Sequence, residues 1–328
     1  MTDKKYHLQD ITKDNPREAL RAGFGDGLKE AGDRDENVVA LCADLTGSTK
    51  MSVFQEAHPD RFYEVGIAEQ NLVTVSSGMA SQGLIPFCSS YAAFSPGRNW
   101  EQIRTTICLN DQPVKIIGSH AGVSVGPDGA THQMLEDMAI MRALPNMVVI
   151  APGDREEARK ATLAMAEDSR PNYMRLARES THVFTTDKTP FEIGKAYVYT
   201  PGQDITVVAT GPLTFQALLA AESLWNEGID VEVIHCPTIK PLDAATILTS
   251  VEKTGCVVTI EEHQITGGLG GAVAELLAEH HPAHMKRIGV KDRFGESGTP
   301  DELLEHFGLT YKEVIIAVHE VLGRSGKK

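Results

Sequence analysis

Residues 114–133 read VKIIGSHAGVSVGPDGATHQ. The stretch opens on an apolar run at 114–118, then passes at once into glycines and small residues that space His120, Asp128 and His132 along one loop, before a helix expected from near Met134. A run without apolar–polar alternation marks a strand covered on both faces, as in a parallel sheet. Glycine lets a backbone approach a ligand closely, and in open parallel sheets ligands bind beyond the carboxyl ends of the strands. The stretch therefore reads as a buried strand feeding a ligand loop. Taken alone, such a loop reads first as a surface turn in which the aspartate bonds its own backbone.

The same rhythm extends in both directions. Apolar runs stand at 38–45, 84–88, 114–118, 147–151 and 173–177, and a second set at 205–209, 231–236, 256–260 and 287–290. Amphipathic segments lie between them, clearest at 156–166, 215–226 and 272–280. Alternating strands and helices imply α/β architecture with right-handed crossovers. The polar stretch 181–201, punctuated by Pro190 and Pro201, breaks the rhythm. A chain of 328 residues also exceeds what one core usually holds, ~250–300 residues. The expectation is two doubly wound α/β domains with mainly parallel sheets, at about 10–190 and 191–328.

Composition excludes several classes of function. The net charge of −14 disfavours nucleic acid and anionic lipid. No run of membrane-spanning length occurs, and MTDKKYHLQD carries no leader-like apolar segment after its lysines. Cys42, Cys88, Cys108, Cys236 and Cys256 form no CxxC pair and no metal-ligand spacing. They read as reduced thiols of a cytoplasmic protein. No metal site is expected on this chain.

Polar residues gather after the strands of the first domain. Asp44 and Ser48 follow the first, Tyr91 and Phe94 the second, His120, Asp128 and His132 the third, and Arg178 the last. Glu69 opens a helix over 68–79, within GIAEQN. Any one of these alone reads as a cap or turn residue. Together they place carboxylates, aromatics, histidines and an arginine at one edge of one sheet. The second domain offers little chemistry: GGLGG at 267–271 lacks dinucleotide spacing and reads as close helix–sheet packing. Assembly is the expected role of that domain.

FYEVGIAEQN, IPFCSSYAAF, GSHAGVSVGPDGATHQMLEDMA, MVVIAPGD and RLAR resemble the pyrimidine-binding domain of transketolases, and EEHQITGGLGGAV and RFGESGTPDELLEHFGL resemble the family's C-terminal domain. The resemblance runs from about residue 10 to the end. A full-length transketolase carries a further, diphosphate-binding domain that uses GDG and a later asparagine pair. Gly25-Asp26-Gly27 falls inside an amphipathic helix expected from near Arg17, and no asparagine pair follows. The chain thus resembles the C-terminal half of a split transketolase.

That resemblance implies thiamine diphosphate as cofactor, with Mg²⁺ held by a partner subunit that carries the diphosphate domain, and two copies of each chain in the assembly. Glu69 would bond the aminopyrimidine ring nitrogen, Phe94 would stack on that ring, Tyr91 would line the pocket, and Asp44 would lie near the thiazolium. Arg21, Ser48 and Arg178, with His120 nearby, would hold a sugar phosphate. Asp128 would read a substrate hydroxyl, and His132 would help move protons at a substrate oxygen. Two departures lie close to these residues: Pro127 stands where many relatives carry an acid, and SPGRNW (95–100) is one residue longer than usual. The implied reaction is transfer of a two-carbon ketol unit from a ketose phosphate to an aldose phosphate. The beta subunit of a thiamine-dependent 2-oxo-acid dehydrogenase and a non-catalytic regulatory subunit stand as alternatives.

Overall fold

The computed structural model describes residues 4–326. Seven strands form the larger sheet, in the order Thr238–Lys240, Val148–Ile150, Asn172–Arg175, Lys115–Ser119, Ile85–Tyr91, Val38–Cys42, Phe62–Glu64. All neighbours are parallel except Thr238–Lys240, which runs antiparallel to Val148–Ile150. The smaller sheet has the order His284–Val290, Cys256–Gln264, Ile205–Ala209, Val231–His235, Tyr197–Thr200, with only the last antiparallel. The strands Val38–Cys42, Lys115–Ser119, Ile205–Ala209 and Val231–His235 are buried at every residue, including the polar Lys115, Thr206, Glu232 and His235 that interrupt their apolar runs, as expected when helices cover both faces of a parallel sheet. Among the described residues no helix is long and apolar enough to cross a membrane. All five cysteines are buried and free.

Several boundaries differ from the sequence reading. The helix expected from near Arg17 starts at Leu20, because Arg17–Ala19 pairs as a strand with Ser180–His182. The helix expected from near Met134 is Asp137–Arg142, the preceding residues being held in loop by bonds across the domain junction. The polar stretch 181–201 contains the strand Tyr197–Thr200. Phe62–Glu64 and Thr238–Lys240, three residues each, are too short to leave a periodic signal.

The helix Leu20–Arg34 explains its own glycines. A Cβ on Gly23 would stand 1.9 Å from Arg155 O, and one on Gly27 would stand 2.7 Å from Arg159 O. Glycine there lets this helix press against Arg155–Glu167. Asp26, central in GDG, is paired with Arg155 at 2.5 Å. The triplet is thus helix-packing hardware.

The two sheets are joined through the interior. Val39, Ile116 and Val149 of the larger sheet share one buried apolar cluster with Val208, Ile234 and Val257 of the smaller. Beside it lies a buried polar network. Arg175 Nε bonds Asp137 Oδ2 at 2.9 Å, Tyr173 Oη donates to the same oxygen at 2.8 Å, and Arg175 Nη2 donates to Glu262 O at 2.7 Å. A second such contact joins His235 Nε2 to Glu157 Oε2 at 2.7 Å.

Candidate active site

Most residues singled out in the sequence end or follow parallel strands at their carboxyl ends, whereas Arg21 lies in the first turn of the helix Leu20–Arg34 and Glu69 opens the helix Glu69–Ala80. Two of them, Asp44 and His120, have φ of +57°, the left-handed region that non-glycine residues adopt at a cost of roughly 1–3 kcal/mol. Such conformations concentrate at ligand sites.

An aromatic shelf forms the floor. Tyr91 stacks on His120 with ring centroids 3.9 Å apart, and Phe94 lies 6.0 Å from Tyr91 at an interplanar angle of 23°. His132 stands edge-on to both, 5.4 Å from Phe94 and 6.2 Å from Tyr91. The helix Glu69–Ala80 begins at this shelf. Glu69 is only 3% exposed. Its Oε2 accepts from Arg98 Nη1 at 2.7 Å, while Oε1 has no hydrogen-bond partner among the described residues. The Arg98 guanidinium also lies 4.8 Å over the Phe94 ring. A flat, donor-bearing cation is thus stacked on Phe94 and bonded to Glu69 at once. The pocket fits a planar nitrogen heterocycle that must stack and bond in the same two directions.

Basic residues converge on the other side. Arg21 Nη1 donates to Ser48 O at 2.7 Å, and Arg21 Nε is buried without a hydrogen-bond partner among the described residues. Arg178 Nη1 donates to Val125 O at 2.8 Å and pairs with Glu179 at 3.2 Å. Both guanidinium groups act on His120. Burial pushes the His120 imidazole down to about 3, and the charges of Arg21, Arg178 and His132 push the same way. His120 is therefore a neutral ring whose Nδ1 meets Ser119 Oγ at 2.9 Å, and the arginines alone supply positive charge.

Stability inherits a pH dependence from this ring. The folded chain refuses a proton on His120 until about pH 3, whereas the unfolded chain accepts one below about 6.5. The unfolded state thus binds more protons across that window. Stability conferred by neutral His120 is full above it and falls as pH drops through it, by about 1.4 kcal/mol per unit. Replacing His120 with Asn should flatten the decline in urea midpoint between about pH 6 and about pH 4 relative to the parent. Parallel declines in the two proteins would refute the assignment.

Not every candidate joins the cluster. Asp44 and Asp128 lie at the same edge with exposed carboxylates. Neither side chain makes a hydrogen bond or ion pair among the described residues. Three contributors went unread in the sequence. Glu64 accepts Asp44 N at 2.7 Å, Gly66 N at 3.0 Å and Thr46 Oγ1 at 2.9 Å, and so staples two strand-end loops together. Arg98 lies in the SPGRNW segment (95–100), but nothing in the sequence aimed it at Glu69. Glu262 carried a readable signal, a charge continuing a strand that is buried from its start.

Polar and aromatic side chains gathered at the carboxyl ends of a parallel sheet make this an α/β ligand-binding unit. Residues 18–182 match the family of transketolase pyrimidine-binding domains, and residues 194–314 match the transketolase C-terminal domain. A protein of Methanocaldococcus jannaschii named as a transketolase C-terminal section is 44% identical over 304 residues, covering 92% of this chain and 95% of the relative. The 6-deoxy-6-sulfo-D-fructose transketolase subunit SqwH of Clostridium sp. strain MSTE9 is 40% identical over 305 residues, covering 93% and 95%. A solved split-gene transketolase, an inactive β4 tetramer, superposes with a TM-score of 0.88 at 44% identity, covering 93% of this chain and 98% of that one. The chain belongs to the transketolase family and corresponds to the C-terminal section that these relatives carry as a subunit. The family's pyrimidine-binding domain implies dependence on thiamine diphosphate.

Proposed function

We propose that the chain is the catalytic partner in a two-chain transketolase, moving a two-carbon ketol unit from a ketose phosphate to an aldose phosphate. The observation that carries this reading is the convergence of Arg21 and Arg178 on neutral His120, beside the aromatic shelf that leads to Glu69. Two arginines beside a histidine that carries no charge suit a dianionic phosphate, which their planar forks bind in two-point fashion. Thiamine diphosphate, when bound, supplies the carbon nucleophile and electron sink for breaking a bond next to a carbonyl.

The chain's own residues do the rest. Glu69 holds the ring nitrogen and shares a proton with it. Phe94 and Tyr91 would support the cofactor ring and exclude water, and Asp44 would supply a carboxylate toward the thiazolium. Arg21, Ser48 and Arg178 hold the phosphate. His120 donates to a substrate oxygen without gaining charge, His132 moves a proton there, and Asp128 reads a hydroxyl. The diphosphate and its Mg²⁺ belong to the partner subunit, with two copies of each chain in the assembly. Ile67, two residues before Glu69, is 75% exposed, an apolar side chain that a partner would cover. We divide the chain functionally near residue 190, and we place it in the cytoplasm on its free buried thiols.

The test is an assay with xylulose 5-phosphate, ribose 5-phosphate, thiamine diphosphate and Mg²⁺, with the chain alone and mixed with a diphosphate-domain chain. Ketol transfer in the mixture only is the expected result. Activity of the chain alone would refute the need for a partner. Turnover of 2-oxo acids without sugar phosphates would replace this reading with the oxo-acid dehydrogenase one.

A further inference from the structure

Residues 122–129 carry no regular secondary structure beyond the short turn Val123–Asp128, yet most of them are buried. The contacts that hold them come largely from the far side of the domain junction. Glu262, at the end of the buried strand Cys256–Gln264, accepts Ser124 N at 2.7 Å through Oε1. Gly122, with φ of +92°, lies against the same carboxylate, and a Cβ there would stand 2.3 Å from Oε1. Gln264 N donates to Leu135 O at 2.9 Å just past the loop. A second segment closes from another direction. Gln133 Nε2 donates to Val123 O at 3.0 Å, to Gly126 O at 3.1 Å and to Glu296 O at 2.8 Å, tying the loop to itself and to residues 295–300. A Cβ on Gly129 would meet Ser297 Oγ at 2.5 Å.

The loop so held has an output. Val125 O receives Arg178 Nη1 at 2.8 Å, and Asp128 stands at the turn's end. We propose that the C-terminal domain takes part in substrate recognition as a clamp, with Glu262 and Gln133 as positioning residues that fix Arg178 and Asp128 through this loop. This rests on the phosphate reading of Arg178, and it assigns the domain a task beyond assembly. Neither residue touches the reacting atoms. The physical requirement is an acceptor at Glu262 for Ser124 N and a donor at Gln133 for three carbonyls, since a buried loop whose backbone groups lose their partners reopens to water.

The clamp is tested with the full chain. Glu262→Met removes the acceptor at similar volume, and Glu262→Gln keeps one. In the reconstituted complex, Glu262→Met should raise KM for xylulose 5-phosphate about tenfold, with kcat within about twofold, and Glu262→Gln should stay within about twofold of the parent in both. In the chain alone, amide exchange over residues 120–133 should quicken at least ~10-fold in Glu262→Met and little in Glu262→Gln. Gln133→Met serves as an independent variant with the same expected split. Unchanged exchange in this loop in both Met variants overturns the clamp whatever the activity. So does a fall in kcat at constant KM, or a Gln variant as impaired as the Met one. If the parent complex transfers no ketol unit at all, the phosphate reading fails instead, and the exchange experiment still decides whether Glu262 holds the loop.

Discussion

Glu69→Ala should lower kcat of the reconstituted complex by on the order of 10³, within the range that positioned acid–base groups contribute. The loss should not come from unfolding. Glu69 opens its helix with one ion pair, and the partner, Arg98, is half exposed, so water takes over its guanidinium when the carboxylate goes. Exposed or half-exposed pairs contribute about 0–1 kcal/mol. Removing the buried carboxylate also relieves its own desolvation. The variant should therefore melt near the parent, assemble with its partner and turn over poorly. Thermal midpoint, assembly by sedimentation and single-turnover rate separate these outcomes. If Glu69→Ala kept activity within a few-fold of the parent, the proton role would be lost and the non-catalytic subunit reading would gain.

The largest expected effect on stability lies elsewhere, at Asp137. Its carboxylate is fully buried and receives both Arg175 Nε and Tyr173 Oη. Asp137→Ala strands a buried guanidinium and a buried phenol together, and breaking a buried pair by removing one partner costs about 3–5 kcal/mol. That is a large share of a typical total of about 5–15 kcal/mol. Urea unfolding should show a midpoint well below the parent's. Replacing Asp137 and Arg175 together with apolar residues should recover much of the loss, because no charge is then left unpaired. A single-variant loss under about 1 kcal/mol would mean that Glu262 and the nearby carbonyls already satisfy Arg175.

Much of this molecule is legible in its sequence, for identifiable reasons. Strands buried on both faces are mostly apolar rather than alternating, so runs such as 205–209 announce themselves. Strand ends in parallel sheets gather ligand residues, so the order of residues alone brings Tyr91, His120 and Arg178 to one edge. Gly25-Asp26-Gly27 packs a helix, as its amphipathic surroundings indicate. GGLGG does pack a helix on a sheet: a Cβ on Gly268 would stand 2.0 Å from Glu261 Oε2, and that carboxylate accepts Leu269 N and Gly270 N at 2.7 Å. What escapes a linear reading are contacts between residues far apart in the chain. Nothing local in SPGRNW says that Arg98 will reach back 29 positions to Glu69. Nothing in 122–129 says that its backbone answers to Glu262, 138 positions from Ser124. Three-residue strands escape as well, since a period of two needs more length to be seen.

The strand Thr238–Lys240 carries a lesson about inheritance. It is contributed from beyond the point where the rhythm of the sequence suggests a seam, and it closes the flank of Val148–Ile150 with antiparallel bonds. A fragment ended at that seam would present a raw strand flank, the kind of surface that recruits other chains. Recombination between relatives at the seam faces the same constraint: a transplanted C-terminal part must bring a segment that fits the recipient's sheet as well as its own. The two halves are easily told apart by eye, but they can be exchanged only as a matched pair.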